Sequence, residues 1–156
     1  MEVLDALNQV AEFHRTFKHP VEKEPMIPSR ERCALRVALI REELEELEAA
    51  IRDNDIVEIA DALCDIQYVL SGAVLEFGLG EKFRKLFDEV QRSNMSKSCA
   101  TASEAEETVK YYKESRGVDC YYKEVDGHFL VYRKGDEKTL KSINYSPANL
   151  LGILNP

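Results

Sequence analysis

Between Arg41 and Leu70 the chain reads REELEELEAAIRDNDIVEIADALCDIQYVL, and no other stretch restricts its fold so strongly. Ten carboxylates (Glu42, Glu43, Glu45, Glu46, Glu48, Asp53, Asp55, Glu58, Asp61 and Asp65) stand against two arginines, an excess equal to the net charge of −8 of the whole chain of 156 residues. The apolar residues between them recur with a helical period, so some of these acids must lie on faces that seek burial. A solvated surface accounts for the outward acids. The inward ones need a partner.

On a wheel stepped at about 100° per residue, Leu39, Ile40, Leu44, Leu47, Ala50 and Ile51 define an apolar arc that contains Glu43. Glu46 lies at the edge of that arc and Glu42 one step beyond it, whereas Glu45 and Glu48 point to solvent. The next segment, IVEIADALCDIQYVLSGAVL, is apolar nearly all round, the pattern of a central buried helix. It carries Glu58, Asp61 and Asp65 on one narrow stripe that continues to Gly72. A carboxylate without a partner on such a face is costly. Crowded carboxylates protonate or unfold the site unless a multivalent cation binds. Arg36 shares the inward face and can pair with one of Glu43, Glu58, Asp61 and Asp65, but it cannot neutralise all four.

The donors are oxygens only. His14, His19 and His128 lie outside the two acidic helices, there is no E-x-x-H of the di-iron bundles, and Cys33, Cys64, Cys99 and Cys120 never form C-x-x-C. Such a donor set suits Mg²⁺, with Mn²⁺ able to substitute. The rival reading is a solvated acidic face on a non-catalytic helical interaction protein that binds a basic partner.

The remainder reads as mainly all-α. The first 17 residues read as a helix, followed by KHPVEKEPMIPS, whose three prolines impose a loop. Ser29 caps a second helix over 30–52, and Asp55 with Glu58 resembles a capping box for a third over 56–77, stopped by Gly78. A fourth helix over 81–96 completes a four-helix bundle. Ser103 and Glu106 suggest a cap for a short helix to about Tyr112. Then VDCYYKEVDGHFLVYRKG, split by Asp126-Gly127, predicts a β-hairpin. The expected organisation is a single domain with a helical core over 1–98, an added helix and hairpin over 99–135, and a tail over 136–156 packing on the core. A sequence pI near 5.0 argues against a nucleic acid polymer as partner. No stretch reaches the roughly 18 apolar residues of a membrane span, and widely spaced cysteines fit free thiols in a reducing cytoplasm.

Glu42-Glu43-x-x-Glu46 followed by Glu58-x-x-Asp61 resembles the E-E-x-x-E … E-x-x-D signature of the all-α nucleoside triphosphate pyrophosphohydrolases, the MazG-like superfamily. That superfamily also holds phosphoribosyl-ATP pyrophosphohydrolases and dimeric dUTPases. EFHRTF, DALCDIQYVLSG, EVQRSNMSK and TLKSINYSPANL are similar to bacterial MazG-like members, while 99–135 looks like an insertion. The resemblance implies a helical core that binds Mg²⁺ and hydrolyses the α–β phosphoanhydride of a nucleotide to a monophosphate and pyrophosphate. It implies Glu43, Glu46, Glu58 and Asp61 as metal ligands. Glu42 would hold a further metal or orient and deprotonate the attacking water. It also implies a homodimer or homotetramer, which the wide apolar arcs independently suggest.

The other candidates each carry two readings. Asn94 and Lys97 contact phosphate or sugar, or else close a helix end. His14 contacts a base or is a satisfied core histidine. Asp65 holds a ligand or a lysine in place. Tyr68 stacks on a base or fills core. Lys141 and Asn144, in the family-like tail, are candidates to close over phosphates.

Overall fold

The α2–α3 turn is built from competing uses of the same few backbone groups. Asn54, with φ 56°, ends α2 (Arg30–Asp53) in the left-handed region, its N–H reaching Ala50 and Ile51 carbonyls. The next N–H, of Asp55, donates to the Ala50 carbonyl at 3.0 Å. The Asp55 side chain caps α3 (Ile56–Glu76), accepting from the Val57 and Glu58 N–H groups at 2.9 and 3.2 Å. Only half of the expected capping box therefore forms. The Asp55 N–H is already used to close α2, so the Glu58 carboxylate is not drawn back onto it.

The computed structural model describes residues 3–155. The chain forms two compact units, one ending at Arg84 and the other starting at Lys85. In the first, α1 (Ala6–Phe17) and α2 both pack on α3. Val10, Ala11 and Leu75 form the centre, flanked by Leu7 and Val21. The proline-rich loop is pinned along the end of α3 by bonds from Glu22 N–H to Leu75 and from Met26 N–H to Phe77, both at 3.0 Å. Gly78 is obligatory there. Its φ is +67°, and a Cβ would lie 1.9 Å from the Glu24 carbonyl oxygen.

The expectation that α3 is buried all round holds for its last turns and, before them, for Ala62 alone among the described residues. Ala62, Ser71, Gly72 and Val74 to Glu76 are buried, but Ile56 is 74 % and Val57 69 % exposed, and Leu63 and Leu70 are exposed too. The reason is arithmetic of cover: among the described elements of the first unit, α1 and α2 pack against α3 and the proline-rich loop covers its end.

α4 (Gly80–Met95) runs across the division between the units. In the second unit α5 (Ala102–Arg116) packs against a hairpin of β1 (Cys120–Val125) and β2 (His128–Arg133). Cys120 stands opposite Arg133 and Val125 opposite His128. The turn residues Asp126 and Gly127 both have positive φ, 50° and 78°, which matches the twist of a two-residue hairpin loop. Cys99, Ala105, Cys120, Val131 and Leu140 form its core.

α5 is longer than expected and is capped two residues earlier than Ser103. The Thr101 side chain accepts from the Glu104 N–H at 3.2 Å, while Glu104 reaches back to the Ala100 N–H at 2.9 Å. Thr101–Glu104 carries the same S/T-x-x-E spacing as Ser103–Glu106, and backbone geometry selects it. Residues 138–140 pair along the outer side of β2, through Lys138 O to Arg133 N and Leu140 N to Val131 O, so the tail joins the hairpin unit. A last turn, α6 (Leu151–Leu154), ends the described chain. Among the described residues all four cysteines are free thiols, and no single helix is long and apolar enough to cross a membrane.

Candidate active site

Antiparallel packing of α2 on α3 puts the two acidic motifs face to face. Glu43 and Asp65 are half-buried, while Glu42, Glu46, Glu58 and Asp61 are exposed along the same groove. Glu43 senses the others. Burial pushes its carboxyl up, and so do Asp65, Glu46, Glu42 and Asp61, in decreasing order. Glu46 and Glu58 meet across an open cleft of about 400 Å³ at the turn end of the two helices, together with Ala49, Ala50, Asp53 and Asp55. Five of the acids that sequence reasoning selected, Glu42, Glu43, Glu46, Asp61 and Asp65, thus form one electrostatic group, and Glu58 joins through the cleft.

Asp53 was overlooked. It lies seven residues beyond Glu46, hence within about 20° of it on the wheel, a signal the sequence carried. Glu45 and Glu48 are exposed, as their phase requires.

Arg36 does not pair with any of the four inward acids. It binds Glu76, a residue the sequence reading passed over. The largest charge effects on Glu43 all come from carboxylates. The oxygen-only donor chemistry fits a hard divalent cation. As the side chains stand, no three of His, Cys, Asp or Glu among the described residues close to metal-holding distance. The carboxylates line the groove and stand apart.

Of the substrate candidates, His14 is 3 % exposed and internally satisfied. Its Nδ1 lies 2.8 Å from the Pro20 carbonyl and its Nε2 3.4 Å from Arg36 Nη2. Burial lowers its pKa against the opposing effect of the Pro20 bond, with Arg36 and His19 adding to the lowering. Of its two readings, the core histidine is the one this geometry favours.

Tyr68 is 39 % exposed and meets Phe13 edge-on at 5.6 Å. It borders an apolar groove of about 430 Å³ lined by Leu4, Ala6, Gln9, Val10, Leu63, Cys64 and Gln67.

Asn94, Lys97, Lys141 and Asn144 come together within the second unit. Lys97 Nζ donates to Asn94 Oδ1 at 2.8 Å, and the Lys97 carbonyl accepts from the Ser142 N–H at 3.0 Å. Ser142 Oγ accepts from the Asn144 N–H at 2.9 Å. Lys141 Nζ sits 4.0 Å from the centre of the Tyr145 ring, whose hydroxyl bonds to Ser93 Oγ at 3.0 Å. The Ser93 bond, then Lys141 and Lys97, draw the Tyr145 phenol below its ordinary pKa. Ser93 and Tyr145 are members of this cluster that the sequence reading did not select.

The profile of the phosphoribosyl-ATP pyrophosphohydrolase family matches residues 10–94, more than half of the chain and all of the acidic groove. The chain belongs to that family. The phosphoribosyl-ATP pyrophosphohydrolase family is part of the all-α MazG-like superfamily of pyrophosphohydrolases. An uncharacterized protein of Acanthamoeba polyphaga mimivirus is similar at 24 % identity, over 93 % of this chain and 94 % of its own length.

Proposed function

We propose that the protein is a Mg²⁺-dependent nucleotide pyrophosphohydrolase that cleaves the α–β phosphoanhydride of a (deoxy)nucleoside triphosphate to a monophosphate and pyrophosphate. The observation that carries this reading is the gathering of Glu42, Glu43, Glu46, Asp61 and Asp65 on the apposed faces of α2 and α3, where burial and the four neighbouring carboxylates together raise the Glu43 carboxyl. Apposed helices that gather such repulsion have a use for it when a divalent ion binds.

Glu43, Glu46, Glu58 and Asp61 would hold Mg²⁺, or Mn²⁺ in its place. When bound, the ion supplies electrostatic stabilisation to the phosphate oxygens and to the charge that develops on the leaving pyrophosphate. Glu42, exposed at the rim of the groove, orients a water for attack and accepts its proton. Asp65, half-buried beside Glu43, would hold a metal ligand or a lysine in place once the cation offsets their mutual repulsion. Tyr68 and the apolar groove beside it offer a stacking face of the size a base requires. Lys97, Lys141, Asn94 and Asn144, with Tyr145, suit an anionic phosphate.

The exposed apolar side chains of the first unit suit a second copy of the chain, so the working form is a homodimer or homotetramer. The free thiols fit a cytoplasmic protein. Phosphoribosyl-ATP is the second substrate reading, favoured by the description of the matching family.

A panel of nucleotides, including phosphoribosyl-ATP, assayed for pyrophosphate release with and without Mg²⁺ tests the proposal. Release of pyrophosphate from a nucleoside triphosphate, lost in EDTA, is expected. Full activity in excess EDTA would sink the mechanism, and no turnover of any nucleotide would favour a non-catalytic acidic interaction protein.

A further inference from the structure

Glu76 is the largest fully buried side chain among the described residues, 1 % exposed. It accepts hydrogen bonds from Arg32 Nε and Arg36 Nε, both on α2. Burial acts to raise its carboxyl, and the two guanidinium groups outweigh that and hold it below its ordinary value. Arg36 is itself buried and turns Nη2 toward His14 of α1. The close fit depends on Gly72. A Cβ there would lie 2.8 Å from Arg36 Nη1 and 3.0 Å from His14 Nε2.

This cluster and the acidic group occupy two ends of one seam. Arg36 and Glu43 are seven residues apart on α2, and Asp65 and Gly72 are seven apart on α3, about 10 Å along each axis and within about 20° in phase. Arg32 to Glu43 and Asp65 to Glu76 each span eleven residues, again within about 20°. The same faces of the same two helices therefore carry arginines clamped on a carboxylate at one end and facing carboxylates at the other. Fixing the roll of both helices at the arginine end fixes which way Glu43 points at the acidic end.

Stability alone does not ask for this chemistry, because buried ion clusters are often no more stabilising than well-packed apolar side chains. Defined geometry does ask for it. Two arginines converging on one carboxylate restrict the roll of α2 on α3 more tightly than non-directional apolar contacts do.

We propose that the Arg32–Glu76–Arg36 cluster is a positioning clamp that sets the roll and register of α2 on α3 and thereby the affinity of the acidic groove for a divalent cation. Arg32, Arg36 and Glu76 are positioning residues and do not touch the cation. The proposal rests on the metal reading of the groove.

Calorimetric titration of the full chain with Mn²⁺, without nucleotide, is the test, with circular dichroism to follow folding. Glu76→Gln should keep its helix content and bind Mn²⁺ about tenfold or more weakly, the scale seen when groups that orient metal ligands are lost. The triple variant Arg32→Leu, Arg36→Met, Glu76→Leu, which repacks the cluster with apolar side chains, should recover thermal stability but not Mn²⁺ affinity. Should Glu76→Gln fail to fold, Arg32→Lys, at a side chain one-third exposed, keeps the charge and loses the Nε contact, and should weaken Mn²⁺ several-fold. Variants that melt earlier yet bind Mn²⁺ as tightly as the wild type would overturn the clamp and leave the metal reading standing. A wild-type protein that binds no Mn²⁺ would overturn both.

Discussion

Glu43 is the residue on which the chemistry of the groove turns. Its carboxyl is raised, so the folded chain takes up a proton there before the unfolded chain does. The sign follows: metal-free stability falls as pH rises from the ordinary carboxyl value of 4.5 through the raised value in the fold, because repulsion then acts in full. Glu43→Gln should remove that fall and raise the melting temperature of the metal-free protein at neutral pH. The same change should lower kcat by about a hundredfold or more, the scale of one lost electrostatic stabiliser. Asp61→Asn should behave alike in turnover. Glu45→Gln and Glu48→Gln, on the exposed side of α2, should alter neither quantity. Parallel melting curves and steady-state assays of the four variants check this. An effect of Glu45→Gln equal to that of Glu43→Gln would contradict the placement of the helix face.

Helix ends and turns set the next scale. Asp55 holds two N–H groups at the start of α3 and stands between the two acidic motifs, so Asp55→Ala should cost about 1 kcal/mol in urea unfolding. Glycine positions separate two costs. Gly117 has a φ of +62° with nothing within 4 Å of a would-be Cβ, so Gly117→Ala should cost about 1 kcal/mol of backbone strain. Gly78 has a similar φ but meets the Glu24 carbonyl, and Gly78→Ala should cost clearly more, because the proline-rich loop must move. Equal effects of the two substitutions would mean that the loop yields freely. In the second unit, the Glu89 carboxyl is lowered to about 2 by Arg92 and the Asn149 N–H. Its support for the tail is therefore present above the ordinary value of 4.5 and is lost as pH falls toward 2.

For the molecule as a whole, exposed apolar surface and bound ions decide behaviour. Ile56, Val57, Leu63, Leu70, Leu44 and Ile51 lie exposed on α2 and α3. Burying them against a second copy returns roughly 25 cal/mol per Å². Light scattering at micromolar concentration should therefore report at least a dimer, and Ile56→Lys with Leu63→Lys should shift it toward the monomer mass of 17.8 kDa. A wild-type monomer that still hydrolyses nucleotide would remove this inference. Mg²⁺ or Mn²⁺ should raise the melting temperature, since an ion that binds only the folded chain stabilises it by mass action. His14 adds an acid limit. Its lowered pKa means that the unfolded chain binds the proton first, so stability falls as pH drops below about 6.5. Melting curves between pH 7.5 and 5, as rough bounds around that value, should show the fall in wild type.

Local rules made much of this protein legible in its sequence. Helical period, Ser29 and Asp55 as caps, Gly78 as a stop and Asp126-Gly127 as a hairpin turn depend on neighbours a few residues apart, and the folded chain uses each of them. The acidic motifs were legible for the same reason, since a face of one helix is defined by spacing alone. The cap of α5 was read at Ser103, and only the folded backbone shows that Thr101, two residues earlier and with the same spacing to an acid, is the one used. Tertiary structure alone decided which charges meet. Arg36 pairs with Glu76 across 40 residues, and not with the inward acids, because antiparallel packing sets α2's early turns against α3's last ones. It likewise decided that α3 is buried at one end and exposed at the other, since burial belongs to the elements that surround a helix and is not written in its own period.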